Sequence, residues 1–179
     1  MRNLISKNKS KISEVKNTMK ECYELSAAEA IQGALSIDLD FQQRQKSRHR
    51  AQTLCGQPVA WFLERGRVLE HGDVLLCNDG TQVKVSAADE TVSEVCCDDS
   101  HLLMRGAYHL GNRHVPLQIA AGWLRYQHDH VLDAMLQGLG LTVECCQRPF
   151  HPENGAYHGS AHGKGHSHAG EHSHSHDHA

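Results

Sequence analysis

Apolar and polar residues alternate through Ile37-Asp38-Leu39-Asp40-Phe41, the two-residue period of a strand with one buried face. A basic run from Arg44 to Arg50 leads into a short strand, and its charges are read as a solvated strand face in preference to a partner-binding patch. Gly56 marks a turn, and the apolar run 58–63 (PVAWFL) predicts a buried strand. After breaks at Arg65-Gly66 and His71-Gly72-Asp73, the segments 74–77 (VLLC) and 81–86 (TQVKVS) flank Asn78-Asp79-Gly80. That is a hairpin signal, because these turn residues tolerate positive φ. Residues 34–90 therefore predict a small all-β domain.

The rhythm changes after residue 90. Segment 92–97 (VSEVCC) reads as a strand, and Asp99 or Ser100 can cap a helix carrying Leu102, Leu103, Met104 and Tyr108 at three- and four-residue spacing. Val115–Ala121 is apolar up to a turn at Gly122, and Trp123–Gln127 gives another strand. Asp129 caps a second helix whose Val131, Leu132, Met135, Leu136 and Leu139 form one stripe, stopped by Gly138 and Gly140. Leu141–Cys146 is the last strand. The order is βαββαβ, which predicts a ferredoxin-like domain over 91–150. Two amphipathic helices would cover one face of its antiparallel sheet and leave the other to water or a partner. The predicted class is thus α+β: a small all-β domain, a ferredoxin-like domain, and a tail over 151–179 where Gly, Ser and His replace hydrophobes and disorder is expected. Residues 1–33 are expected to be an N-terminal extension, partly disordered, with 1–18 either disordered or a vector or upstream-start extension and Met19 a candidate natural start.

A formal charge of -3 gives no general basic field, so nucleic acid is not an expected partner. The basic beginning (Arg2, Lys7, Lys9, Lys11, Lys16, Lys20) lacks the apolar run of a signal peptide, and nowhere do 18 apolar residues follow one another. A cytoplasmic protein with no membrane segment is expected. Seven cysteines without an export signal argue against a disulfide framework. Cys96–Cys97 and Cys145–Cys146 are adjacent, unlike the C-x-x-C of zinc or redox sites. Neighbours on a strand face opposite ways, so one member of each pair is expected to be a small buried hydrophobe.

Nine of the sixteen histidines lie in 151–179, which closes with HSHSHDH. Imidazole is the commonest side-chain metal ligand and is neutral near physiological pH. His158, His162, His166, His168, His172, His174, His176 and His178 are therefore candidate metal ligands. A purification tag would be an uninterrupted run of histidine, and this segment is spread over Gly, Ser, Ala, Glu and Asp. Outside the tail, His114 stands at the exit of the first helix, and His128 and His130 flank the start of the second. There the helix dipole disfavours an extra proton on imidazole. His109 is a weaker candidate. Any one of these alone reads as a surface or capping histidine; the tail on the same chain tips His114 toward metal. No H-E-x-x-H motif or matched acid/base pair is present, which argues against a metallohydrolase.

The stretches 108–119 (YHLGNRHVPLQI) and 124–133 (LRYQHDHVLD), followed by a His-rich terminus, resemble the urease accessory protein E family of nickel metallochaperones. The likeness is close over about 105–158 and weaker over 37–90, where QKSRHR and the ERG turn also fit. It implies a partner-binding β domain, a ferredoxin-like metal domain, and a homodimer formed through the latter. It also implies that His114 is the interface histidine and that His128 and His130 are a secondary metal pair. Tails vary in such proteins, so individual tail ligands do not carry over. The implied role is to collect Ni²⁺ as cargo and pass it, through the urease GTPase accessory protein, to apo-urease; a nickel or zinc storage buffer is the alternative. Metals of this class take four to six ligands, so one histidine is a weak site. A two-fold axis beside His114 would double it. A floppy span of about 28 residues has a typical end separation of about 30 Å and could complete the shell. Imidazole also suits zinc and copper, so Zn²⁺ and Cu²⁺ binding is expected, with nickel preferred through the resemblance. Affinity should fall as pH drops through about 6.5, because the ligands must be deprotonated.

Overall fold

The computed structural model describes residues 18–30 and 32–154. The first sheet contains β1 (Lys20–Leu25), β2 (Leu35–Leu39), β3 (Arg48–Gln52), β4 (Pro58–Phe62), β5 (Val74–Cys77) and β6 (Gln82–Ala87), in the order β2-β6-β5-β1-β4-β3. β1 runs parallel to β4 and β2 parallel to β6; the other pairs are antiparallel. Ile37, Leu39, Val59, Trp61, Leu69, Leu75, Val83 and Val85 are buried in its core. The Trp61 indole N–H donates to the Lys46 carbonyl at 2.7 Å, which satisfies the one polar atom of that side chain.

The second sheet contains β7 (Asp89–Cys96), β8 (Gln118–Ala120), β9 (Trp123–Gln127) and β10 (Glu144–Pro149), in the order β10-β7-β9-β8 and antiparallel throughout. Helix α2 (Ser100–Gly111) follows β7 and α3 (His130–Gly138) follows β9, giving the βαββαβ order read from the sequence. Both predicted caps are present. Asp99 accepts from the His101 and Leu102 backbone N–H groups, and Asp129 from those of Val131 and Leu132. Val95, Leu110, Leu124, Tyr126 and Leu136 fill the core beneath the helices. Gly106 allows α2 to come close, since a β-carbon there would lie 2.8 Å from a Leu141 methyl group. No helix among the described residues is long and apolar enough to cross a membrane.

Three expectations change. Residues 20–25, expected in the N-terminal extension, form β1 between β5 and β4 in the middle of the first sheet. An irregularity between Cys22 and Glu24 breaks the two-residue period, and only Cys22 in KECYEL is fully buried, so the alternation is hidden. Phe41 is not the end of a strand. The Asp40 side chain accepts from the Gln43 N–H and the Gln43 side chain from the Asp40 N–H, and this capping box turns the chain into the one-turn α1 (Phe41–Arg44). Phe41 thereby packs edge-on against Phe150, with ring centres 5.4 Å apart. Arg48 and Arg50 of the basic run are exposed as expected, but Arg44 is only 2% exposed. Its guanidinium donates to the Leu69 carbonyl at 3.2 Å and to the Phe150 carbonyl, linking the two sheets' domains. Cys22 and Cys77 lie opposite each other on β1 and β5 with their sulfurs adjacent. In the adjacent cysteine pairs Cys97 and Cys146 are half-buried against apolar clusters while Cys96 and Cys145 are exposed, so the alternation holds with less burial than expected.

The fold disfavours the charged form of two histidines. His49 lies edge-on to Trp61, and burial, with Lys46 nearby, pushes its pKa down. His151 sits with His71, Arg44 and Phe41 around a cavity of about 270 Å³, and burial, then Arg44 and His71, push it down too. The unfolded chain therefore binds more protons than the folded one below the ordinary value of 6.5. Stability should fall as pH drops through that value. Thermal melts in chelator are expected to show this loss, and His49→Gln and His151→Gln should each flatten it; profiles identical to the unaltered chain would refute the assignment.

Candidate metal centre

His114 emerges where α2 unwinds. The His114 N–H bonds the Gly111 carbonyl at 2.9 Å, and the Val115 N–H reaches back to the Leu110 carbonyl at 3.4 Å. This pair of bonds is a Schellman ending, with His114 at the position that glycine usually takes. Its φ is 56°, and among the described residues it is the one non-glycine residue with positive φ. A β-carbon in that conformation costs about 1–2 kcal/mol. Backbone geometry would favour glycine, so the imidazole itself is the reason to look here for function. The side chain is exposed. On the same helix Met104 is 62% and Tyr108 65% exposed, one turn apart, an apolar face that no described residue covers.

His128 ends β9's connection to α3 and is built into a polar cluster. Its Nδ1 lies 3.0 Å from the Ser93 Oγ and 3.2 Å from an Asp133 oxygen. The Ser93 hydroxyl donates to the other Asp133 oxygen at 2.7 Å, and the Tyr126 hydroxyl to that same oxygen at 2.7 Å. Ser93 and Tyr126 are fully buried, and they are direct partners across β7 and β9. Burial and the neighbouring Asp133 carboxylate push the Tyr126 phenol well above its usual value, so it stays a donor. His130 is the first residue of α3 and is exposed. Beside it, backbone N–H groups of Leu132 and Val131 hold the Asp129 carboxyl below the usual range. His109 is half-buried, its ring edge-on to Tyr108 at 5.4 Å.

His114, His128 and His130 are thus surface imidazoles on the second domain, at the end of α2 and the start of α3. Among the described residues no three His, Cys, Asp or Glu side chains converge to hold a metal ion. His158, His162, His166, His168, His172, His174, His176 and His178 lie outside the described residues. The sequence reading missed Ser93, Tyr126 and Asp133. Their contact depends on strand register and on where α3 docks, and the only local hint was an acidic residue in the first turn of α3.

Residues 19–88 match the N-terminal domain of the family described as UreE urease accessory protein, and residues 90–178 match its C-terminal domain. The chain belongs to the UreE urease accessory protein family. A urease accessory protein UreE of Teredinibacter turnerae is 60% identical over 124 residues, covering 69% of this chain and 80% of the relative. The one of Saccharophagus degradans is 55% identical over 145 residues, covering 79% and 86%. One from Pseudomonas putida GB-1 is 55% identical over 132 residues, covering 73% and 79%. The UreE halves coincide with the two sheets: β1 to β6 fall in the first match, and all but the first residue of β7 to β10 in the second. UreE proteins are accessory chaperones and not enzymes, which removes the metallohydrolase alternative.

Proposed function

We propose that this UreE protein is a nickel metallochaperone, which binds Ni²⁺ as cargo in the cytoplasm and delivers it for assembly of the urease metallocentre. The observation that carries this is His114, an exposed imidazole kept at a backbone position better suited to glycine in a chain of the UreE family. We read the second domain, with its order β10-β7-β9-β8, as ferredoxin-like and as the dimerisation unit. In a two-fold dimer, Met104 and Tyr108 would be covered by the second copy and two His114 rings would share one cation. His128 and His130 act as a weaker secondary pair, and His158, His162, His166, His168, His172, His174, His176 and His178 supply the remaining ligands. Imidazole ligands exchange more readily than a closed thiolate cage would, which suits hand-over; Zn²⁺ and Cu²⁺ bind the same donors. The first domain is the face offered to the urease GTPase accessory protein and apo-urease.

A storage or detoxification buffer for nickel or zinc is the second reading, favoured by the density of histidine in 151–179. Truncation after Asn154 separates the two. That cut keeps the Glu153 N–H on the Leu117 carbonyl and the His151 N–H on the Gln118 side chain, so the folded part stays intact. A carrier with a working His114 site is expected to retain substantial urease activation when nickel is plentiful. A buffer is expected to lose nearly all its nickel capacity with the tail, and urease activation that never depended on this chain would favour it.

A further inference from the structure

We infer that Asp133, together with Ser93, sets His128 as its Nδ1–H tautomer and so presents Nε2 as a ready donor to a divalent cation. The inference rests on reading His128 as a ligand. The proton inventory leads to it. A serine hydroxyl has one proton, and that of Ser93 goes to Asp133 at 2.7 Å. The Ser93 Oγ can therefore meet His128 Nδ1 at 3.0 Å only as an acceptor. An Asp133 oxygen also lies 3.2 Å from Nδ1, in ion-pair contact. The Ser93 contact needs a proton on Nδ1, and the carboxylate's charge favours it there. The opposite tautomer would aim the Nδ1 lone pair at a carboxylate.

In the Nδ1–H tautomer the lone pair lies on Nε2. No side chain or backbone group among the described residues bonds Nε2, and the side chain is 37% exposed with Nδ1 on the protein side. Asp133 is itself held: Ser93 and Tyr126 both donate to it from fully buried positions, and it lies in the first turn of α3, where the helix dipole favours negative charge. Carboxylates that bond the far nitrogen of a metal-binding histidine fix its tautomer and orientation, and their loss typically costs 10–100-fold in affinity. Asp133 is thus a positioning residue. It acts through His128 without touching the cation.

The test uses the full-length chain labelled with ¹⁵N-histidine. Long-range ¹H–¹⁵N spectra without metal should show His128 as Nδ1–H, the form that free histidine in water disfavours. Ni²⁺ is then added, and broadening of each ring signal gives a midpoint per histidine. Asp133→Asn should return His128 toward Nε2–H and raise its Ni²⁺ midpoint about tenfold or more, with the His114 midpoint unmoved. Tyr126→Phe removes a buried bond to Asp133 but spares both Nδ1 partners, so it should keep the tautomer; a purely structural role would disturb both variants alike. Should Asp133→Asn not fold, Ser93→Ala is expected to shift tautomer and midpoint the same way. An Nε2–H ring in the unaltered chain, or an unchanged midpoint in the variant, overturns the positioning role alone. Indifference of His128 to Ni²⁺ in the unaltered chain overturns its reading as a ligand, and the positioning role with it.

Discussion

Glycine in place of His114 is expected to give a metal-free protein that melts higher, by about 2–4 °C, yet has lost its principal nickel site. The stability gain follows from the φ of 56°, which a residue with a β-carbon adopts at a cost and glycine adopts freely. Relief of that strain is about 1 kcal/mol after the greater unfolded-state freedom of glycine is subtracted, and a chain of 179 residues melting as one unit converts it to about 2–4 °C. The side chain is exposed, so no packing is lost in the folded monomer. His114→Ala is the necessary companion: it removes the imidazole but keeps the strain, so it should lose nickel without melting higher. Scanning calorimetry in chelator and nickel titration calorimetry read the two halves separately. A glycine variant that melts lower would refute the strain argument. One with unaltered nickel stoichiometry would refute the site.

Arg44→Ala is expected to cost about 2–4 kcal/mol of stability, the largest effect of any single change outside the cores. The guanidinium supplies hydrogen bonds to two carbonyls, of Leu69 and Phe150, that come from different domains. Truncation removes the donor from both acceptors, and each orphaned group costs about 1–3 kcal/mol. It also strips the Phe41 ring of the cation 5.4 Å from its centre. Arg44→Lys keeps the charge but lacks the planar fork that reaches two acceptors at once, so it should recover less than half of the loss. Denaturant melts give the magnitude, and amide exchange near Phe41 and Phe150 should quicken more than exchange in α2. A change under about 0.5 kcal/mol would show that the junction is not held by this residue.

Much of the second domain was legible before any coordinates. Its helices begin at Asp99 and Asp129, each a capping side chain followed by an apolar stripe, and both signals act within one turn. The strand Trp123–Gln127 also stands where it was expected after the turn at Gly122. In the first domain a register shift breaks the period of β1, and nothing near Arg44 in the chain announces the carbonyl of Phe150. The clustering of imidazoles was equally plain from the chain. The company kept by His128 was not, since Ser93 and Asp133 lie 35 residues before it and one helical turn after it, and meet only when β7, β9 and α3 assemble.

Helix starts, strand periods, net charge and the supply of histidine are local or additive properties, and they follow from residue order alone because their energetics reach no further than a turn or a neighbouring residue. The left-handed backbone at His114, the burial of Arg44 and the hydrogen-bonded edge of His128 had to await the packed fold. Each depends on which distant groups are brought within bonding distance, and that is decided by the docking of whole elements.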